Sequence, residues 1–143
     1  MQKKREIAWS KEFISGNEEI DAYHKEIIDS VVELYKMLDD SARYRNEIPA
    51  LTKKIEEAMY VHMDIEINYL ERFKFPECAE HLASHKHYQK ELEFYRDYSL
   101  PDTIRAVMTG EISSDYMRNH FFQFDIKAIR FINEKLKEEE QQH

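Results

Sequence analysis

From Glu18 onward the apolar residues recur at threes and fours. Ile20, Ile27, Val31, Leu34 and Leu38 trace one stripe and predict a helix over residues 18–40. Ser15, with Glu18 three positions later, has the form of a capping box that would open it. A polar connector, S-A-R-Y-R-N-E-I, leads to Pro49, a residue suited to a helix's first turn. Leu51, Ile55, Met59, Leu70 and Phe73 then carry a second helix to residue 73. Pro76 forces a break, and Tyr88, Leu92 and Tyr95 line a third helix over residues 77–97. After Pro101 a short helical piece is expected to reach Thr109 and stop at Gly110. Ser113 or Ser114 would cap a fourth helix carrying Phe124, Ala128, Phe131 and Ile132. Residues 1–16 form an arm whose Trp9 and Phe13 should pack on the helices. The acids of the tail, 138–143, sit at the end of a helix where the dipole disfavours them, so fraying is expected there. The pattern predicts an all-α fold in a single domain, 1–143: an antiparallel up-down-up-down four-helix bundle with an N-terminal arm.

Composition narrows the function classes. Two glycines and three prolines in 143 residues leave little material for hairpins, in keeping with helices. A formal charge of -8 argues against binding a nucleic acid backbone. No apolar run approaches a bilayer's thickness, and the opening M-Q-K-K-R-E-I-A-W lacks the apolar core of a secretory signal. With a single cysteine, Cys78, in the first turn of the third helix, the expected location is the cytoplasm.

The predicted apolar stripes are interrupted by polar residues, and these change the picture. His24 lies on the first stripe, and His62 and Glu66 lie four apart on the second. His81 and His85 lie four apart on the third, and His120 and Asp125 lie on the fourth. A spacing of four puts two side chains on one helix face. One histidine on an apolar face is ordinarily a hydrogen-bonded core residue. Five, with two carboxylates and no arginine or lysine placed to pair them, would cost on the order of several kcal/mol each to desolvate without a cation. Seven donors exceed one tetrahedral zinc, and none of them falls in H-E-x-x-H or in the E-x-x-H of ferritin-like proteins. Imidazoles with two carboxylates suit two first-row metals bridged by the carboxylates, iron first among them. His120 and Asp125, five apart, would not share a face of a regular helix. A local π-type widening near Phe122 to Phe124 is therefore predicted. His87 falls off the inward stripe and His143 is terminal, so neither is expected to be a ligand.

These residues resemble a known family. His24, then H-x-x-x-E at His62 and Glu66, F-P-x-x-x-x-H-x-x-x-H from Phe75 to His85, and H-F-x-x-x-D from His120 to Asp125 are similar to the hemerythrins, and more narrowly to the single-domain bacterial hemerythrins. Trp9, Phe13, Gly16 and I-D-x-x-H at Ile20 to His24 extend the likeness towards the N-terminus. The resemblance implies two iron ions in an oxo- or hydroxo-bridged centre that takes dioxygen as its ligand. His81, His85 and His120 would hold one iron and His24 and His62 the other, with Glu66 and Asp125 bridging. Tyr116, Met117 and Phe121 stand where the family usually has tryptophan, leucine and isoleucine, and are expected to line the oxygen pocket. Ile67 and Tyr23 also depart from the pattern without touching a ligand.

The function expected from this resemblance is reversible dioxygen binding for storage or delivery, with no catalytic residues, in a monomer or weak oligomer. Two alternatives are oxygen or redox sensing through a partner chain, and a di-iron enzyme consuming peroxide or nitric oxide, for which weak peroxidase-type activity would be the sign.

Overall fold

Asn17, rather than Ser15, caps the first helix. In the computed structural model, which describes residues 7–97 and 99–142, α1 spans Glu18–Leu38. The Asn17 side chain accepts from the Ile20 amide at 3.0 Å, and Ser15 instead donates its hydroxyl to Asp21. An asparagine oxygen satisfies the same orphaned amide that a serine would, which leaves Ser15 free for the turn before it. Gly16 supplies that turn with φ +86°, and Asn133 clamps it by bonding to both Asn17 and the Ser15 carbonyl. Of the expected arm, residues 1–6 lie outside the described residues. Ile7 and Phe13 are buried, and Trp9 stacks on Phe13.

The second helix, α2, spans Glu47–Arg72, and the third, α3, spans Cys78–Phe94. The turn between them sets the height of the residues that matter most. Phe75 N–H bonds to the Leu70 carbonyl at 2.9 Å and Lys74 N–H to that of Glu71 at 3.2 Å, which is a Schellman closure. Leu70 and Phe75, which such a closure brings together, are both buried. The geometry requires a left-handed residue, and Lys74 takes it at φ 56°. A glycine would adopt that φ without the side-chain penalty. Lys74→Gly should therefore raise stability by roughly 0.5–1 kcal/mol, read as a higher urea midpoint at unchanged slope.

The last helix differs most from the expectation. Helical structure runs without interruption over residues 102–141: α4 from Asp102–Asp115, a π-helical segment from Tyr116–Asp125, and α5 from Ile126–Gln141. Gly110 does not end a helix but lies inside α4, and Ser113 and Ser114 are interior rather than capping. Close packing explains the glycine. A Cβ there would sit 2.9 Å from Cε1 of Tyr35 on α1, whose hydroxyl lies 3.2 Å from Ser114 Oγ. The tail, expected to fray, is helical through Gln141, where Arg72 at the end of α2 pairs with Glu139. His143 lies outside the described residues.

Every regular element among the described residues is helical, and four helices pack on one another: α1, α2, α3 and the long helix. Ile27, Ile28, Val31, Leu34, Ile55, Met59, Leu70, Leu92, Ile129 and Ile132 are buried between them. No helix among the described residues is long and apolar enough to cross a membrane.

Candidate metal centre

All seven of the inward-facing polar residues meet in one place. His24 from α1, His62 and Glu66 from α2, His81 and His85 from α3, and His120 and Asp125 from the π segment are at most 1 % exposed. Their donor atoms form two groups within ligand reach: Glu66, His81, His85, His120 and Asp125, and His24, His62 and Glu66.

The two carboxylates sort the histidines. Glu66 Oε1 lies 3.1 Å from His81 Nε2 and 3.4 Å from His85 Nε2, while Oε2 lies 3.2 Å from His24 Nε2 and 3.8 Å from His62 Nε2. Asp125 Oδ1 lies 2.7 Å from His120 Nε2 and 3.1 Å from His81 Nε2, and Oδ2 lies 3.5 Å from His24 Nε2. Each acid thus turns one oxygen to a three-histidine side and the other to a two-histidine side.

His120 and Asp125 can both face inward because the helix is widened between them. The Ile126 amide bonds to the Phe121 carbonyl, five residues back, as the spacing of His120 and Asp125 predicts. The widening is longer than expected, ten residues rather than the neighbourhood of Phe122 to Phe124. Tyr116 and Phe121, also five apart, are both fully buried in it, so the long segment serves two inward pairs.

The outer face of His62 fixes which of its nitrogens is bare. Its Nδ1 donates to the Ala58 carbonyl at 3.2 Å, which leaves Nε2 as the acceptor, and His120 Nδ1 lies 2.6 Å from Ser84 Oγ with Nε2 turned to Asp125. His120 is sandwiched between Tyr116, at 4.3 Å, and Phe124, at 5.1 Å. Phe121 meets His24 edge-on, and Phe13 backs Phe121 at 5.3 Å. Met117 is fully buried in the same segment. The Tyr116 hydroxyl lies 3.2 Å from His85 Nε2. Ser84 was not legible as a partner of His120 from the sequence. Its only signal is a hydroxyl between His81 and His85 on the same helix. His87 is exposed and pairs with Glu91. Cys78 opens α3, and burial with Glu71 and Glu80 nearby raises its thiol rather than lowering it.

The arrangement leaves polar atoms stranded. His62 Nε2, His120 Nε2 and both Asp125 oxygens are buried without a hydrogen-bond partner. The 2.7 Å approach of His120 to Asp125 is short but not aligned as a hydrogen bond, as befits two donors aimed at a common third atom. Native interiors seldom leave such groups unpaired. A cation between them would satisfy these four at once; the Nδ1 atoms of His24, His81 and His85, also without a partner, lie on the far side of their rings. The residues present therefore fit a metal, with imidazole and carboxylate donors and no thiolate.

Charges inside the metal-free cluster are strongly perturbed. Burial opposes ionisation of Glu66, yet hydrogen bonds from His24, His81 and His85 hold its carboxyl well below the usual range. Burial and the neighbouring Glu66 push Asp125 up, but His120 and His81 outweigh them and its carboxyl is lowered. Burial would lower His24, but its bond to Glu66 raises it, whereas burial wins at His85 and lowers it. At His62 burial prevails and the imidazole falls to about 4. At His81 burial is outweighed by the carboxylates of Asp125 and Glu66, which raise it to about 9.

These two opposite shifts have signs that can be tested. His81 is raised above its ordinary 6.5, so its contribution to metal-free stability is full below that value and lost as pH rises through about 9. His62 is depressed, so its contribution is present above 6.5 and lost as pH falls towards about 4. At neutral pH a metal must displace the His81 proton. Metal affinity should therefore climb by at least about tenfold per pH unit between neutrality and the raised His81 value. Calorimetric titration of zinc(II) in buffers of different ionisation enthalpy would read the released proton directly.

Comparison with known proteins finds no family model, no curated protein and no solved structure that matches this chain.

Proposed function

We propose that the protein is a hemerythrin-like di-iron protein that binds dioxygen reversibly. The observation that carries this reading is the division of both carboxylates: Glu66 and Asp125 each turn one oxygen towards histidines of either side. A single ion can take one oxygen of each acid and leave the other over, whereas two ions use both. In this reading His81, His85 and His120 hold one iron and His24 and His62 the other, with Glu66 and Asp125 bridging. The helices would follow the antiparallel up-down-up-down order with an N-terminal arm.

The iron pair would supply reversible transfer of two electrons to dioxygen. The chain's own residues do the rest. The side with three histidines and two carboxylate oxygens offers five donors and the other side four, so the exogenous ligand belongs on the second. Phe121, Met117 and Tyr116, all fully buried, keep water from that ligand, and Phe13 closes behind Phe121. Exclusion of water slows loss of a charged ligand by denying it solvation. The Ala58 carbonyl and Ser84 hydroxyl hold two of the rings so that Nε2 points inward before any metal arrives.

A second reading, a di-iron enzyme consuming peroxide or nitric oxide, is favoured by the Tyr116 hydroxyl beside His85. Cycles of aeration and deoxygenation separate the two. Carriage predicts a visible absorption band that forms with dioxygen and disappears on its removal over repeated cycles. Irreversible bleaching with turnover of added peroxide would replace it with the enzyme.

A further inference from the structure

We propose that the Tyr116 hydroxyl donates a hydrogen bond to the small exogenous ligand of this centre and so selects ligands that carry an exposed lone pair. The inference rests on the di-iron reading and adds a residue to it.

Tyr116 is fully buried and its ring packs on histidines of both sides: stacked on His120 at 4.3 Å, tilted on His85 at 6.0 Å and edge-on to His62 at 5.1 Å. Its ring therefore spans the place where the two sides meet. The hydroxyl lies 3.2 Å from His85 Nε2. With His85 as a metal ligand, that nitrogen cannot be its acceptor. An imidazole that gives its Nε2 lone pair to a metal has no lone pair left there to accept with, and Nδ1 carries its proton. A buried hydroxyl deprived of its acceptor is disfavoured, so it must find another.

Three acceptors are conceivable: the metal itself, a ligand on it, or the nearby Asp125 carboxylate, whose two oxygens are each given to an ion in the di-iron reading. His85 belongs to the side already supplied with five protein donors, which has no need of a phenolate. The side with four donors has room for an exogenous ligand, and its His62 lies under the Tyr116 ring. A phenol, with an ordinary pKa of about 10, is protonated at neutral pH and able to donate. A donor at that place favours ligands that accumulate negative charge and penalises those without an acceptor lone pair, because the hydroxyl is then left unpaired.

Azide is the probe. Iron-loaded diferric protein and its Tyr116→Phe variant would be titrated with azide, with iron content and helical circular dichroism measured on the same samples. Loss of one hydrogen bond to an anion should weaken azide binding by about tenfold or more in the variant. The infrared stretch of bound azide should shift between H2O and D2O in the parent protein and not in the variant, a signature that a packing role would not move. If the variant does not fold, the solvent-isotope shift in the parent protein alone decides. Equal azide affinities, or a stretch indifferent to D2O in the iron-loaded parent, would overturn the proposal while leaving the di-iron reading intact. So would a tyrosinate-to-iron charge-transfer band in the resting protein that vanishes in the variant, since the hydroxyl would then be a ligand. Failure to take up any iron would bring down the di-iron reading and this proposal with it.

Discussion

Loading the metal-free protein with iron(II) under anaerobic conditions should raise its melting temperature by roughly 10–15 °C at free metal a thousandfold above the dissociation constant. The size of the effect comes from what the core holds. Five imidazoles and two carboxylates are buried at one place, and seven of their polar atoms have no hydrogen-bond partner, among them His62 Nε2, His120 Nε2 and both Asp125 oxygens on the inner side of the cluster. Glu66 opposes the ionisation of Asp125, and His81, which helps to offset this, is itself raised and holds a buried proton. A cation removes the inner stranded groups and the repulsion together, and it binds the folded chain alone, because only folding gathers donors from four helices. Differential scanning calorimetry on the two forms would read the shift. Unchanged melting on metal addition would mean that the cluster is a self-sufficient polar core.

Glu66→Ala should cut affinity for the second iron by more than about a hundredfold while leaving the first in place. Glu66 is the acid that reaches both sides through hydrogen bonds, to His24 from Oε2 and to His81 from Oε1. Without it the three-histidine side keeps His81, His85, His120 and Asp125 Oδ1. The other side keeps only His24, His62 and the more distant Asp125 Oδ2, 3.5 Å from His24. The loss is therefore unequal, and a titration should resolve it as one tight iron instead of two. Two tight ions in the variant would show that Glu66 does not bridge.

Much of this centre was legible in the sequence because helical geometry makes spacing into position. His62 with Glu66, and His81 with His85, are four apart and needed only the helices to bring them inward. His120 and Asp125, five apart, led to a sharper expectation, a widened helix, since no regular helix could aim both at one point. What spacing could not supply was the far partner. Gly110 reads as a helix end unless one knows that Tyr35 lies 2.9 Å from where its Cβ would be. Ser15 and Asn17 are both good caps, and the choice between them was made by Asp21 and Asn133, which take Ser15 and the turn. Ser84 behind His120 belongs to the same class. Its role arises from the packing of α3 on the π segment, which no local pattern encodes. The length of that segment was hidden too: the resemblance put Tyr116 and Phe121 at one pocket, but apolar residues five apart on a helix do not by themselves mark a widening.

The Lys74 turn shows the same limit from the other direction. A lysine at φ 56° is a poor local choice, tolerated because Leu70 and Phe75 are buried across the closure and the carbonyls of Leu70 and Glu71 are satisfied. Pro76 announced a break there, but not its geometry. That geometry is what sets α3 against α2 at the height where His81 and His85 meet Glu66.

At the centre of this reading, one chain holds two metal ions between shared carboxylates. Anaerobic calorimetric titration of iron(II) into the metal-free protein, with iron counted on the recovered complex, tests it most directly. Saturation at two irons per chain is the expected result. Saturation at one, or no uptake, would contradict it.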